Sequence, residues 1–163
     1  MIGEIPSFVQ QQALKILHSR KGEAVSIVHF SRSGGGCINH GGRLRTTDGD
    51  YFIKNVNGKI ELSLDDADAE LTDCKGDKFS FRLDDGDLRM DRGKGNLDIQ
   101  GDDADIEIYK GEFTTINADL DDGDLIIETS IDDNGTYNLN TEDGLISLKI
   151  IKGGGDFNVW HDD

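Results

Sequence analysis

Proline and cysteine are both scarce in this sequence of 163 residues. The only proline is Pro6, so every later residue keeps its backbone N–H, and a long hydrogen-bonded β ladder can form without interruption. The two cysteines, Cys37 and Cys74, lie far apart and fit no metal-ligand spacing. We therefore predict two reduced thiols, and neither a disulfide framework nor a zinc site.

Long apolar runs and targeting signals are absent as well. No stretch approaches the roughly 18 consecutive apolar residues of a membrane-spanning helix. The amino terminus has no basic region followed by an apolar core and a small-residue cleavage site. We predict a chain that does not insert into a membrane and that, as written, is cytoplasmic rather than exported.

Negative charge is abundant but unevenly distributed, with a net charge of −16. Residues 1–54 carry seven Lys and Arg against four Asp and Glu, a net of +3, whereas the rest carries ten against 29, a net of −19. This shift predicts a boundary between an N-terminal domain, residues 1–55, and an acidic domain, residues 56–163. Because the acidic part repels phosphate groups, we predict no nucleic-acid partner.

An acidic string recurs through the second domain and is the most informative feature of the sequence. The intervals between the first residues of successive copies are 19, 18, 19 and 21. A fixed period of this length indicates a repeat architecture. The five copies occupy residues 65–71, 84–90, 102–108, 121–127 and 142–148.

Each repeat contains two short runs in which apolar and polar residues alternate, such as Leu88 and Met90 followed by Leu97 and Ile99. A period of two predicts strands, and the Gly, Asn and Asp residues between the runs predict turns. Such a unit cannot bury its apolar face alone, so successive units must stack with parallel strands about 4.8 Å apart. We predict a mostly β fold, a single-stranded parallel β-helix (β-solenoid) of about 18–21 residues per coil. An antiparallel sandwich is the alternative.

Stacked coils would bring corresponding carboxylates of the repeats into one column. Calcium could bridge such a column, but the acidic string at residues 119–124 lacks the ligand spacing and the bidentate glutamate of a calcium loop. We predict solvated turn aspartates, no metal site and no catalytic residue. The column would contain Asp66, Asp85, Asp103, Asp122 and Asp143.

The repeated Asp-Asp-Gly-Asp-Leu strings, the segments 133–139 and 141–144, and residues 153–163 together carry a family resemblance. They resemble a bacterial adhesin-like family of β-strand repeats whose function is not assigned. The resemblance implies a parallel β-helix that serves as an adhesin or cell-surface module without catalytic residues. It also implies a location outside the cytoplasm, in contrast to the missing export signal.

The N-terminal domain has a different pattern. Apolar residues between positions 8 and 17 follow helical spacing, which predicts a short amphipathic helix to about residue 19. Short strands follow, and the Asp48-Gly49 pair predicts a hairpin turn into the strand at residues 51–54. An open solenoid end must be covered, so we expect the helix to cap it and the strands to continue the stack.

The glycine loop Gly34, Gly35 and Gly36, together with Lys54, resembles the start of the fructosamine (ketoamine) kinases. The resemblance implies that this loop covers nucleotide phosphates and that Lys54 contacts them. No catalytic-loop aspartate and no magnesium-binding segment follow. The sequence therefore predicts no phosphoryl transfer and no required cofactor.

The leading functional hypothesis is a non-enzymatic surface-binding or scaffold module for an unidentified protein or glycan. Its candidate contact residues are Tyr109, Phe113, Tyr137 and Trp160. The alternatives are a fructosamine-kinase-related fragment with residual nucleotide binding and an acidic DNA mimic. Another repeat starts at Asp162, which predicts an open solenoid end that can pair with a second copy as a homo-oligomer.

Overall fold

The structure, a computed structural model, describes residues 27–32, 42–46 and 50–154. These residues form twelve strands, and no helix among them is long and apolar enough to cross a membrane. The predicted N-terminal helix and the glycine loop lie outside the described residues. The strands are β1 (Ile27–Arg32), β2 (Gly42–Thr46), β3 (Tyr51–Lys54), β4 (Ile60–Leu64), β5 (Ala69–Thr72), β6 (Lys75–Leu83), β7 (Leu88–Asp91), β8 (Lys94–Asp103), β9 (Ile106–Asp122), β10 (Leu125–Ser130), β11 (Thr136–Asp143) and β12 (Ile146–Lys152).

Parallel pairing arranges strands β3 to β12 into two faces of one solenoid. The first face runs in the order β3, β5, β7, the first half of β9, β10 and β12. The second face runs β4, β6, β8, the second half of β9 and β11. Each chain segment crosses from one face to the other and returns one coil further along. The predicted parallel β-solenoid is therefore confirmed, and it has about five turns.

The register of the first face measures the length of each coil. The in-register residues Tyr51, Ala69, Leu88, Ile106, Leu125 and Ile146 begin successive coils. Their spacing of 18 to 21 residues is the spacing of the acidic strings. Each acidic string therefore forms the corner at which the chain passes from the second face to the first.

At its N-terminal end the stack continues across the predicted domain boundary. The strand β3 pairs in parallel with β5, and on its other edge it pairs antiparallel with β2, which in turn pairs antiparallel with β1. The antiparallel pairing predicted for a hairpin before Tyr51 is thus confirmed, although the turn at residues 47–49 lies outside the described residues. The boundary at residue 55 stays a prediction.

The core lies between the two faces, and alternate residues of most strands from β4 to β10 line it. Strand β4 shows the pattern, because Ile60, Leu62 and Leu64 are buried while the two residues between them are exposed. Each fully buried aliphatic side chain contributes about 1.5–3 kcal/mol, so the stack is stabilised coil by coil. Two aromatic rings, Phe79 and Phe113, pack edge to face with centroids 6.4 Å apart.

The corner that leaves the first face is a left-handed turn in four successive coils. Asn55, Asp73, Arg92 and Lys110 have φ angles between 52° and 56°. Backbone hydrogen bonds hold this corner in register, since Asn55 N–H donates to Thr72 O at 3.0 Å and Arg92 N–H donates to Tyr109 O at 2.9 Å. The positive φ values thus belong to the coil geometry rather than to a functional strain.

Candidate functional site

An aspartate ladder runs along the corner where the chain enters the first face. The carboxylate of one coil accepts a hydrogen bond from the backbone N–H of the residue at the same position in the next coil. The four bonds between aspartates measure 2.9–3.2 Å. The ladder consists of Asp50, Asp68, Asp87, Asp105 and Asp124.

The ladder explains why an aspartate recurs at the fourth position of the acidic string. Sequence reasoning interpreted these residues only as solvated turn aspartates, whereas each one satisfies a backbone N–H of its neighbouring coil. Partial desolvation, together with the negative charges of Asp68 and Asp105, raises the pKa of Asp87. The ladder ends where the repeat changes, because Leu145 occupies the next position and only donates its N–H, to Asp124 at 2.9 Å.

Removing one carboxylate of the ladder should destabilise the stack. We expect Asp105→Ala to lower the free energy of unfolding by about 1 kcal/mol, because the N–H of Asp124 loses its acceptor. Urea unfolding followed by circular dichroism measures the change. Asp133→Ala is the matched control, since this exposed carboxylate between β10 and β11 accepts no hydrogen bond from the described residues. Equal stability of the two variants would contradict the role of the ladder.

A second acidic feature, the carboxylate column, lies at the end of the second face. The predicted alignment is confirmed, because Asp122 pairs in register with Asp103 on one side and with Asp143 on the other. Desolvation and the charges of Asp103 and Asp143 raise the pKa of Asp122. The residues immediately before these positions are acidic as well, and we include them in the column. A hydrogen bond with Asp102 and the charge of that carboxylate raise the pKa of Asp121. Like charges therefore oppose one another along this column.

Neutralising this column should stabilise the protein at neutral pH. A carboxylate whose pKa is raised by folding binds more protons in the native state, so its contribution to stability falls as pH rises through the window between the unfolded and folded pKa values. We expect Asp121→Asn to raise the melting temperature at pH 7 and low salt. The gain should disappear below about pH 3, where the Asp121 carboxyl is protonated in both the folded and the unfolded state, and it should shrink at high salt. A gain that persists at low pH would contradict this account, and Asp133→Asn is the control.

A shallow groove of about 280 Å³ runs beside the aspartate ladder on the first face. One wall is formed by the ladder. The other wall is formed by Glu70, Arg89 and Glu107, which occupy the same register position in three successive coils. The groove runs across strands of several coils, so equivalent polar groups along it are separated by the distance between coils.

The residues Arg89, Glu107 and Tyr109 form what we call the arginine–tyrosine patch next to this groove. The guanidinium of Arg89 donates to Oε2 of Glu107 at 2.6 Å and lies 5.0 Å from the centroid of the Tyr109 ring. A cation above an aromatic face and a charged hydrogen bond hold the arginine in one orientation. The patch is half-buried and belongs to strands that are paired on both sides.

Comparison with known proteins gives one match. The model of the Toastrack DUF4097 family matches residues 43–160. The chain belongs to this family. No curated protein and no solved structure matches it. The Toastrack β-solenoid is not a known enzyme fold, and it is consistent with a non-catalytic scaffold or surface module.

The Toastrack match gives no support to the fructosamine-kinase resemblance or to the adhesin label. It begins at residue 43, so it includes Lys54 together with the acidic repeat. The structure places Lys54 at the end of β3, in register with Thr72. The hydrogen bond and the charge of Arg92 lower the pKa of Asp73, and the charge of Lys54 adds a smaller effect in the same direction. Gly34, Gly35 and Gly36 lie outside the described residues, so nucleotide binding by Lys54 and this loop stays a prediction.

The aromatic contact residues predicted from sequence occupy different environments in the Toastrack solenoid. The prediction of Phe113 as a contact residue is wrong, because its ring is buried in the core. The Tyr137 hydroxyl donates to Phe113 O at 2.7 Å and accepts from Asp132 N–H at 2.8 Å, which indicates a structural role. Tyr109 is half-buried in the arginine–tyrosine patch, and Trp160 lies outside the described residues.

The described thiol of the Toastrack domain is held in its protonated form. Cys74 is buried in the core, and desolvation raises its pKa to about 11. Its Sγ–H donates to Thr72 O at 3.4 Å. Because the thiolate is the nucleophilic form of cysteine, this residue is unsuited to nucleophilic chemistry at neutral pH.

Proposed function

We propose that this Toastrack domain is a non-catalytic, adhesin-like surface module that binds a partner protein through the arginine–tyrosine patch and the adjoining groove. The observation that carries the proposal is the fixed geometry of Arg89 above Tyr109 and against Glu107. Arginine and tyrosine are the residue types that dominate binding energy in protein interfaces. Side chains that are already ordered lose little conformational entropy on binding.

The groove supports a partner with positive charge. Asp87, Asp105 and Glu107 line it and present carboxylates at the solenoid spacing, so a basic segment of the partner would gain hydrogen bonds and charge complementarity there. The proposal favours a protein over a glycan because the tyrosine face is covered by the guanidinium instead of being open for a sugar ring. A location at the cell surface is part of the proposal.

Site-directed photo-cross-linking tests the proposal directly. A photoreactive amino acid at position 70, beside the groove, should capture a defined protein from a cell-envelope fraction of the native host. We expect Arg89→Ala and Tyr109→Ala each to reduce capture by about tenfold or more, consistent with hot-spot residues. Urea unfolding must show that both variants remain folded.

The matched control lies on the second face. Asn117→Ala changes an exposed residue there that accepts a hydrogen bond from Asn138 Nδ2 at 2.8 Å, and it should leave capture unchanged. Equal capture by all three variants would refute the proposal. Capture only from a photoreactive group placed at position 117 would do so too. A glycan array probed with the same variants decides between protein and sugar.

A second candidate function, an acidic mimic of DNA, is favoured by the carboxylate column. Two acidic positions per coil are exposed along one corner. A hydrogen bond with Asp102, together with its charge, raises the pKa of Asp121. A basic DNA-binding protein should then bind with an affinity that falls steeply with salt. The double variant Asp102→Asn with Asp121→Asn should weaken that binding, whereas Arg89→Ala should not.

The predicted nucleotide site has a direct test of its own. If Lys54 and the glycine loop hold nucleotide phosphates, saturating magnesium-ATP must raise the melting temperature of the chain. Lys54→Ala should abolish the shift. No shift with the unaltered chain would remove the fructosamine-kinase-related alternative.

A further inference from the structure

The last described coil leaves large apolar side chains exposed. Ile146 is 41% exposed, whereas Leu125, which occupies the same register position one coil earlier, is 0% exposed. Leu145 and Ile151 flank Ile146 and the rest of β12, and they are 58% and 48% exposed. These three are the exposed large hydrophobic residues of the described part of the chain. Among the described residues, the exposure of large hydrophobic side chains is thus confined to β12 and the residue before it.

The strand β12 also has an edge without a partner strand among the described residues. Its one neighbour there is β10, whereas β10, β7 and β5 each have a parallel neighbour on both sides. An unpaired edge presents alternating N–H and C=O groups that can pair with a further strand. No proline interrupts β12, which has the sequence Ile-Ser-Leu-Lys-Ile-Ile-Lys. We call this surface the β12 edge.

Charge indicates what kind of strand the β12 edge can accept. At several positions in the stack, a basic side chain pairs with an acidic side chain of an adjacent coil: Arg89 with Glu107, Lys94 with Glu112, and Lys149 with Glu128. Lys149 and Lys152 make the β12 edge basic, although the whole chain has a net charge of −16. An incoming strand with an acidic residue beside Lys149 would continue this pattern.

A second copy of the chain fits the β12 edge poorly. Two β12 strands paired antiparallel about Lys149 would bring lysines of both copies together, and like charges directly opposite one another are destabilising. The net charge of the chain adds a long-range repulsion at low salt. The predicted homo-oligomer is therefore not the occupant that the charges favour.

We propose that the β12 edge docks an extended segment of a partner polypeptide by parallel strand addition. The segment alternates apolar with polar residues: its apolar side chains cover Ile146 and Leu148, and it carries an acidic residue beside Lys149. Strand addition gains affinity from main-chain hydrogen bonds and specificity from alternate side chains. This inference goes beyond the proposed function, since β9 and β10 separate β12 from β7, the strand of Arg89.

A synthetic peptide of residues 121–131 is a suitable probe, because it contains β10, the strand that already pairs with β12. In that pair Leu125 opposes Ile146 and Glu128 opposes Lys149. The labelled peptide is titrated into the full chain at low salt, and fluorescence anisotropy gives its affinity. Hydrogen exchange then locates the bound peptide through added protection of the β12 amides.

A charge swap tests the recognition. We expect Lys149→Glu to weaken peptide binding about fivefold, since a cross-strand charge pair contributes up to about 1 kcal/mol. A peptide with Glu128→Lys should reverse this preference and bind the variant several-fold more tightly than it binds the unaltered chain. Lys59→Glu is the control, because Lys59 lies next to β4 and pairs with Glu61, far along the stack from β12.

Two results would overturn the inference. One is the absence of peptide binding at millimolar concentration. The other is concentration-dependent self-association, seen by sedimentation, that protects the β12 amides without peptide and shows that a second copy covers the edge. Neither result affects the test of the arginine–tyrosine patch, because Arg89 and Tyr109 are unchanged in every variant used here.

Discussion

Gly95→Ala is expected to destabilise the protein by roughly 4 kcal/mol, the sum of a steric and a conformational cost. Gly95 has a φ of +145°, a conformation that alanine rarely adopts. A β-carbon at this position would lie 1.7 Å from the carbonyl oxygen of Gly76 in the adjacent coil. That oxygen belongs to the backbone of a paired strand, so it cannot move aside without breaking the register of the stack. Urea unfolding measures the loss.

Gly58 is a matched control for Gly95. It occupies the same column of the solenoid, has a φ of +126°, and would place a β-carbon in open space. Gly58→Ala should therefore show only the conformational cost, about 1 kcal/mol. If Gly58→Ala lost as much stability as Gly95→Ala, the close approach of the coils at Gly95 would not explain the cost of that substitution.

The solenoid could be predicted because two independent signals share one period. The alternation of Leu88 with Met90 and of Leu97 with Ile99 indicates strands, and the acidic strings return at the spacing of the coils. Together they predict the register: equivalent positions of successive strings place Asp103 beside Asp122, as the structure does. The fold therefore follows from local pattern and repetition.

The left-handed corners could not be predicted in the same way. Positive φ values are expected at glycine or asparagine, yet Arg92 and Lys110 adopt them. Their conformation is imposed by hydrogen bonds to adjacent coils, such as Arg92 N–H to Tyr109 O at 2.9 Å. No propensity of an isolated residue carries that information. Hydrogen bonding between coils, rather than residue type, therefore determines the backbone conformation of Arg92 and Lys110.

The candidate site was only partly visible in the sequence. Aligning the acidic strings already places Glu70, Arg89 and Glu107 at equivalent positions, which is the signal that could have identified one wall of the groove. Tyr109 was recognised as a candidate contact, but its position under Arg89 depends on side-chain directions that periodicity does not give. The aspartate ladder was missed because a turn aspartate and a ladder aspartate look alike in sequence.

Phe113→Ala is expected to lower the free energy of unfolding by about 3–5 kcal/mol, the usual cost of removing a buried aromatic ring. The Phe113 ring packs edge to face on Phe79 and fills the space beside Gly93 and Gly111. Neither glycine has a side chain that could move into the resulting cavity. Calorimetry or urea unfolding measures the loss, and Tyr109→Ala, which removes a half-buried outward ring, should cost less.

A double-mutant cycle with Gly111 separates cavity formation from a general loss of structure. In the unaltered protein, a β-carbon on Gly111 would lie 2.6 Å from Cε2 of Phe113, so Gly111→Ala should destabilise. Once Phe113 is alanine, that obstacle is gone and the new methyl group partly fills the cavity. Gly111→Ala should then be neutral or stabilising, with a coupling energy of at least about 1 kcal/mol. If the two losses of stability simply add, the Phe113 ring is not the reason that position 111 is glycine.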